Sequence, residues 1–102
     1  MKKAYLATMI VVGLLMAGQA QADEALAKAK NCMTCHKTDA KLIGPAYKDV
    51  AAKYKAADIP TLTKKVLEGG SGIWGQVPMA PNKANVTEAE AKKLVTWILT
   101  LK

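Results

Sequence analysis

The sequence predicts an all-α domain of about four helices, and three observations predict it. Apolar residues recur at helical spacing in separate stretches, the clearest being Ala91, Leu94, Val95, Ile98 and Leu101 near the C-terminus. Helix punctuation brackets these stretches: Gly44-Pro45 and Asp58-Ile59-Pro60 at starts, Gly69-Gly70 at a stop, and Thr87-Glu88-Ala89-Glu90 as a capping box. No run alternates apolar and polar residues as a half-buried strand does.

The domain is expected to start after a leader. Lys2 and Lys3 precede an apolar run from Ala4 to Ala17, and Ala20-Gln21-Ala22 supplies small residues at the A-x-A positions of a signal-peptide cleavage site. The apolar run is short for a span of about 20 residues. Residues 1–22 therefore read as a cleaved signal peptide and 23–102 as one exported domain. A domain of that size has a small core and usually needs a staple. Every basic residue is a lysine; without Lys2 and Lys3, 13 of the 15 remain against eight acids. These lysines are spread along the chain with no aromatic interleaving, so they read as a solvated surface suited to acidic partners, and export argues against nucleic acid.

The first helix is expected over Asp23–Asn31, with Asp23 and Glu24 at its positive end and lysines toward the other. Its small Ala27 and Ala29 would let another helix approach closely. It leads into Cys32-Met33-Thr34-Cys35-His36. Two cysteines, two spacers and a histidine are the attachment pattern of a c-type haem. Positions three and four apart share a helix face. Cys32 and Cys35 can thus form two thioether bonds to one porphyrin while His36 offers its imidazole to the iron. A structural zinc needs four ligands, and these are the only Cys and His residues in the chain. An ordinary disulfide with an incidental histidine stays open on spacing alone. A haem held here would also be the staple that the small core needs.

After a connector over residues 37–44, Tyr47, Val50, Ala51 and Tyr54 make one helical stripe behind Gly44-Pro45. Asp58 is a candidate cap for a third helix with Pro60 in its first turn and Leu62, Val66 and Leu67 on its buried side. The stretch from Gly69 to Val86 has no period, and a loop of that length is uncommon unless it is functional. The closing helix is expected from Thr87 to Lys102.

The iron has a second axial position. No second histidine exists, Met1, Met9 and Met16 fall in the leader, and Met33 is confined within the attachment motif. Met79 remains, between Pro78 and Pro81 in the long loop. A thioether there would raise the reduction potential, and the prolines would restrain it. The competing reading makes Met79 a core gap-filler.

Together these stretches resemble the small monohaem class I cytochromes c of bacterial periplasms, the cytochrome c-551/c-552 group. The similar stretches are 32–36, Gly44-Pro45-Ala46-Tyr47-Lys48-Asp49-Val50-Ala51, Gly72-Ile73-Trp74-Gly75-Gln76-Val77-Pro78-Met79, and the closing helix. The resemblance implies a class I cytochrome c fold and a non-enzymatic electron carrier with one covalent haem c. It implies that the Pro45 carbonyl bonds the His36 ring, that the Trp74 indole and Lys65 reach haem propionates, and that the Asn82 amide lies near the Met79 sulfur. Lys65 stands where relatives often carry arginine. Implied partners are a quinol-oxidising complex as donor and a terminal oxidase, nitrite reductase or peroxidase as acceptor, met by a monomer in the periplasm. The alternative function is a five-coordinate gas sensor or peroxidase-like enzyme in which Met79 is not a ligand.

Overall fold

The computed structural model describes residues 23–102, so the expected leader lies outside the described residues. The fold is all-α. Its helices are α1 (23–29), α2 (Tyr47–Lys53), α3 (Ile59–Glu68) and α4 (Glu88–Ile98), with 3-10 turns at Cys32–Thr34 and Ala56–Asp58. Among the described residues the only β-type pairing is an isolated bridge between Gly70 and Met79.

The first and last helices pack together, and small side chains make this possible. Ala27 and Ala91 are fully buried, and with Val86 and Leu94 they form a core cluster against which Leu26, Met33, Val66, Leu67 and Trp97 pack. Ala29, by contrast, is exposed. Polar contacts close the same seam: Lys93 lies 3.5 Å from Asp23, Lys30 lies 3.6 Å from Glu90, and Lys30 donates to the Asn85 carbonyl at 2.9 Å. Glu90 serves α4 a second time. Its backbone N–H donates to Thr87 Oγ1 at 3.1 Å, and its carboxylate accepts from the Thr87 N–H at 3.0 Å, which completes the capping box read from the sequence.

Helix boundaries differ from the expectation where local side chains intervene. α1 stops at residue 29, because Asn31 takes a left-handed conformation (φ 65°), which asparagine tolerates better than most residues. Pro45 lies just ahead of α2 instead of in its first turn, with Ala46 as the N-cap. Asp58 does not cap α3; its carboxylate accepts from the Lys55 N–H at 2.9 Å and so closes the Ala56–Asp58 turn. α4 ends at Ile98, not Lys102. Its final carbonyls are taken by a tighter turn, with Leu101 N–H donating to Ile98 and the Thr100 hydroxyl donating to Trp97 at 2.6 Å.

Candidate haem site

The attachment motif sits on a single tight turn at the end of α1. The N–H groups of Cys35 and His36 both donate to the Cys32 carbonyl, at 3.2 and 3.1 Å. That pairing places Cys32, Cys35 and His36 around one turn. Both cysteines are unpaired thiols and half-buried. Burial pushes the Cys32 thiol up, and the neighbouring Tyr47 hydroxyl acts the other way. The Tyr47 phenol is itself pushed far up, first by burial and then by the neighbouring Cys32.

Three groups fix the His36 ring, which is 9% exposed. Its Nδ1 lies 2.8 Å from the Pro45 carbonyl oxygen, which can only accept, so Nδ1 carries the proton and Nε2 presents its lone pair. The ring stacks on Tyr47, with centroids 4.9 Å apart and planes 21° from parallel. Tyr47 in turn meets Trp97 of α4 edge-on at 5.8 Å. On the remaining side, a Cβ at Gly44 would collide with the imidazole. Glycine is needed here for close approach, not for backbone freedom.

The Met79 loop is tied at two points. Met79 N–H donates to Gly70 O at 2.8 Å, and Gly70 N–H donates to Met79 O at 3.0 Å. Gly69 (φ 71°) makes this bridge possible, since a Cβ there would strike the Met79 carbonyl and the Pro81 nitrogen. Beyond Met79, Asn82 fastens the chain to the end of α3. Its backbone N–H reaches the carbonyls of Val66 and Leu67, at 3.2 and 3.1 Å. Its side-chain amide donates to Val66 at 3.0 Å and to Ala80 at 3.3 Å. The amide donors of Asn82, expected beside the sulfur, are thus directed to backbone carbonyls that α3 and the loop would otherwise leave open.

Lys65 extends its ammonium over Gly70, beside the bridge to Met79. Trp74 lies in the exposed stretch 71–78, edge-on to Tyr54 at 6.4 Å, with the Lys53 ammonium 5.6 Å from its ring centre. The structure therefore groups Cys32, Cys35, His36 and Pro45 on one turn, and Met79, Lys65 and Asn82 around the end of α3. Trp74 stands with α2. No sequence pattern signals the stacking of Tyr47 on His36; the helical stripe places Tyr47 only on one face with Val50, Ala51 and Tyr54.

These residues fit a haem. Two thiols three residues apart, an oriented imidazole with a free Nε2 and a loop-held thioether form a donor set suited to an iron porphyrin. Large apolar side chains suited to cover or border a macrocycle stand exposed near both the motif and Met79. They are Leu42 and Ile43 at 43% and 57%, and Ile73 and Val77 at 59% and 66%. Among the described residues no group of three or more His, Cys, Asp or Glu side chains could hold a bare metal ion.

Comparison with known proteins agrees with this chemistry. The family model described as cytochrome c matches residues 20–102. The chain belongs to the cytochrome c family. It is 53% identical to cytochrome c-552 of Nitrosomonas europaea, with all of both chains covered, and 42% identical to cytochrome c-551 of Pseudomonas aeruginosa, again over all of both. Its fold matches the crystal structure of wild-type Nitrosomonas europaea cytochrome c552 with a TM-score of 0.74 and 52% identity, covering 78% of this chain and 99% of that one. This cytochrome is of the monohaem c-551/c-552 kind, a non-enzymatic electron carrier whose haem c is attached through Cys32 and Cys35. No helix among the described residues is long and apolar enough to cross a membrane.

Proposed function

We propose that this cytochrome carries single electrons in the periplasm, with His36 and Met79 as the axial ligands of its iron. Cleavage after Ala22 would release 23–102 as the mature monomer. The proposed donor is a quinol-oxidising respiratory complex, and the acceptor a terminal oxidase, nitrite reductase or peroxidase. The observation that carries the reading is the His36 ring, held by the Pro45 carbonyl, Gly44 and Tyr47 so that Nε2 alone remains to bind.

When bound, the haem supplies an iron that alternates between Fe(II) and Fe(III). The chain's own work is to keep the ligands still while that charge changes. The Nδ1 hydrogen bond makes the imidazole a stronger donor and sets its plane. The Gly70 bridge and the Asn82 clip restrain the backbone on both sides of Met79, and its thioether favours the reduced state. The lysine surplus would speed encounter with acidic partners in a salt-dependent way.

The Met79→Ala variant tests the assignment. The haem should stay attached, while the methionine-to-iron(III) charge-transfer band disappears and the potential falls. An unchanged spectrum would refute methionine ligation. Prompt carbon monoxide binding by the reduced wild type would support a five-coordinate site instead.

A further inference from the structure

Away from the haem site, α3 and the start of α4 leave a groove of about 520 Å³ between them. Its lining includes none of the residues placed at the haem. The α3 wall is one helical face, on which Ile59, Thr63 and Leu67 recur four apart and make a largely apolar floor. From α4 come Glu88 and Lys92, also four apart, and Lys83 joins them from the segment after Met79. An apolar floor with a few charged groups is the usual make-up of a small-molecule site, and the volume is in the range of such sites.

One group in the floor lacks what its helix would ordinarily give it. A helical threonine can spend its hydroxyl on the carbonyl four residues back, as Thr96 does with Lys92 at 2.7 Å. Thr63 is 6% exposed, and its hydroxyl meets no hydrogen-bond partner among the described residues. A buried hydroxyl without a partner costs stability that valine, of nearly the same shape, would spare.

The charges at the rim do not cancel. Lys64 lies 3.8 Å from Glu68, one turn on, so these two offset each other. Lys83, Lys92 and Glu88 form no ion pair among the described residues. Two ammonium groups against one carboxylate leave a single positive charge beside the apolar floor. Its complement is a monoanion with an apolar tail; a dianion would meet added repulsion from Glu88.

We propose that the α3–α4 groove binds an aliphatic monocarboxylate of medium chain length. The position of Lys83 sets the orientation, because its backbone N–H donates to the Leu67 carbonyl at 3.1 Å. The carboxylate thus lies at the Leu67 end, between the Lys83 and Lys92 ammonium groups, and gives the Thr63 hydroxyl its missing acceptor. The tail runs toward Ile59 and Pro60.

The test titrates octanoate into the reduced holo-cytochrome and follows the backbone amide resonances. Those of Thr63, Leu67 and Lys83 should shift saturably with octanoate, but not with acetate or octylammonium at the same concentrations. Lys83→Gln and Lys92→Gln should each weaken binding several-fold, as should added salt, whereas Glu88→Gln should strengthen it. Thr63→Val should lower the affinity while raising the denaturant midpoint, which separates lost binding from lost folding. Shifts that never saturate, equal shifts with octylammonium, or an affinity unmoved when Lys83→Gln and Lys92→Gln are combined would overturn the proposal. Saturable shifts confined to Leu42, Ile43, Ile73 and Val77 would also overturn it. The methionine–iron band, recorded in the ferric form, reports the haem ligation separately.

Discussion

Replacing Gly44 with alanine should loosen the proximal side of the haem site without touching a ligand. Gly44 does not adopt a positive φ, so alanine fits its backbone conformation and the effect is confined to one added methyl. That methyl would overlap the His36 ring, with Cε1 and Nδ1 nearest. The ring must move, and moving it breaks the 2.8 Å bond to the Pro45 carbonyl. Overpacking of a tight site costs about 1–3 kcal/mol, and a lost hydrogen bond in a part-buried site about 1 kcal/mol. Their sum, about 2–4 kcal/mol, corresponds in a domain this small to a fall in Tm of roughly 10–25 °C. The loss of imidazole basicity should also raise the potential, because the oxidised iron depends more on that donor. Thermal unfolding of the ferric protein followed by circular dichroism reads the first effect, and voltammetry the second. A Tm within about 2 °C of wild type, with the His36 ring N–H resonance unmoved, would refute the steric argument.

Other perturbations give further expectations. Thr63 is 6% exposed and its hydroxyl meets no hydrogen-bond partner among the described residues, so Thr63→Val should stabilise the fold by about 1 kcal/mol, seen as a higher denaturant midpoint. The Glu90 carboxyl is held below the usual carboxylate range, first by the Thr87 backbone N–H and also by Lys30. Its folded pKa lies below its unfolded one, so its contribution is present above the ordinary glutamate value and is lost as pH falls through the lowered one. Glu90→Gln should therefore flatten the acid limb of a Tm-against-pH curve. Asn82→Ala removes the amide clip and should cost about 1–3 kcal/mol while quickening cyanide binding to the ferric form, since the Met79 loop opens more readily. The Met79→Ala spectrum described above completes the set.

The legible parts of the molecule are those set by covalent or local constraints. The thioether motif is fixed by the spacing that one porphyrin demands, and the Thr87 box by two hydrogen bonds within one turn. Close approach of another helix to α1 could be inferred because alanine at Ala27 has little other use, while the identity of that helix, α4, comes from the packing. Asp58 misled because the same residue type serves a 3-10 turn or an α-helix start, and only the position of Lys55 decides between them. The conformation of the Met79 loop was not readable. It depends on Gly70 meeting Met79 and on Asn82 meeting the carbonyls of α3, contacts between segments that no local period records. Tyr47 looked like any core aromatic; its contact with His36 arises from the way α2 folds back over the attachment turn.

The bridge between Gly70 and Met79 closes residues 71–78 into a loop whose ends are pinned together. Ser71 and Gln76 project from that loop into solvent. Exchanging them would alter the outer surface beside Met79 without lengthening or shifting the strut that bears its sulfur. The two requirements on a shuttle, a face suited to its partner and an iron suited to its potential, are thus written in different residues and can change independently.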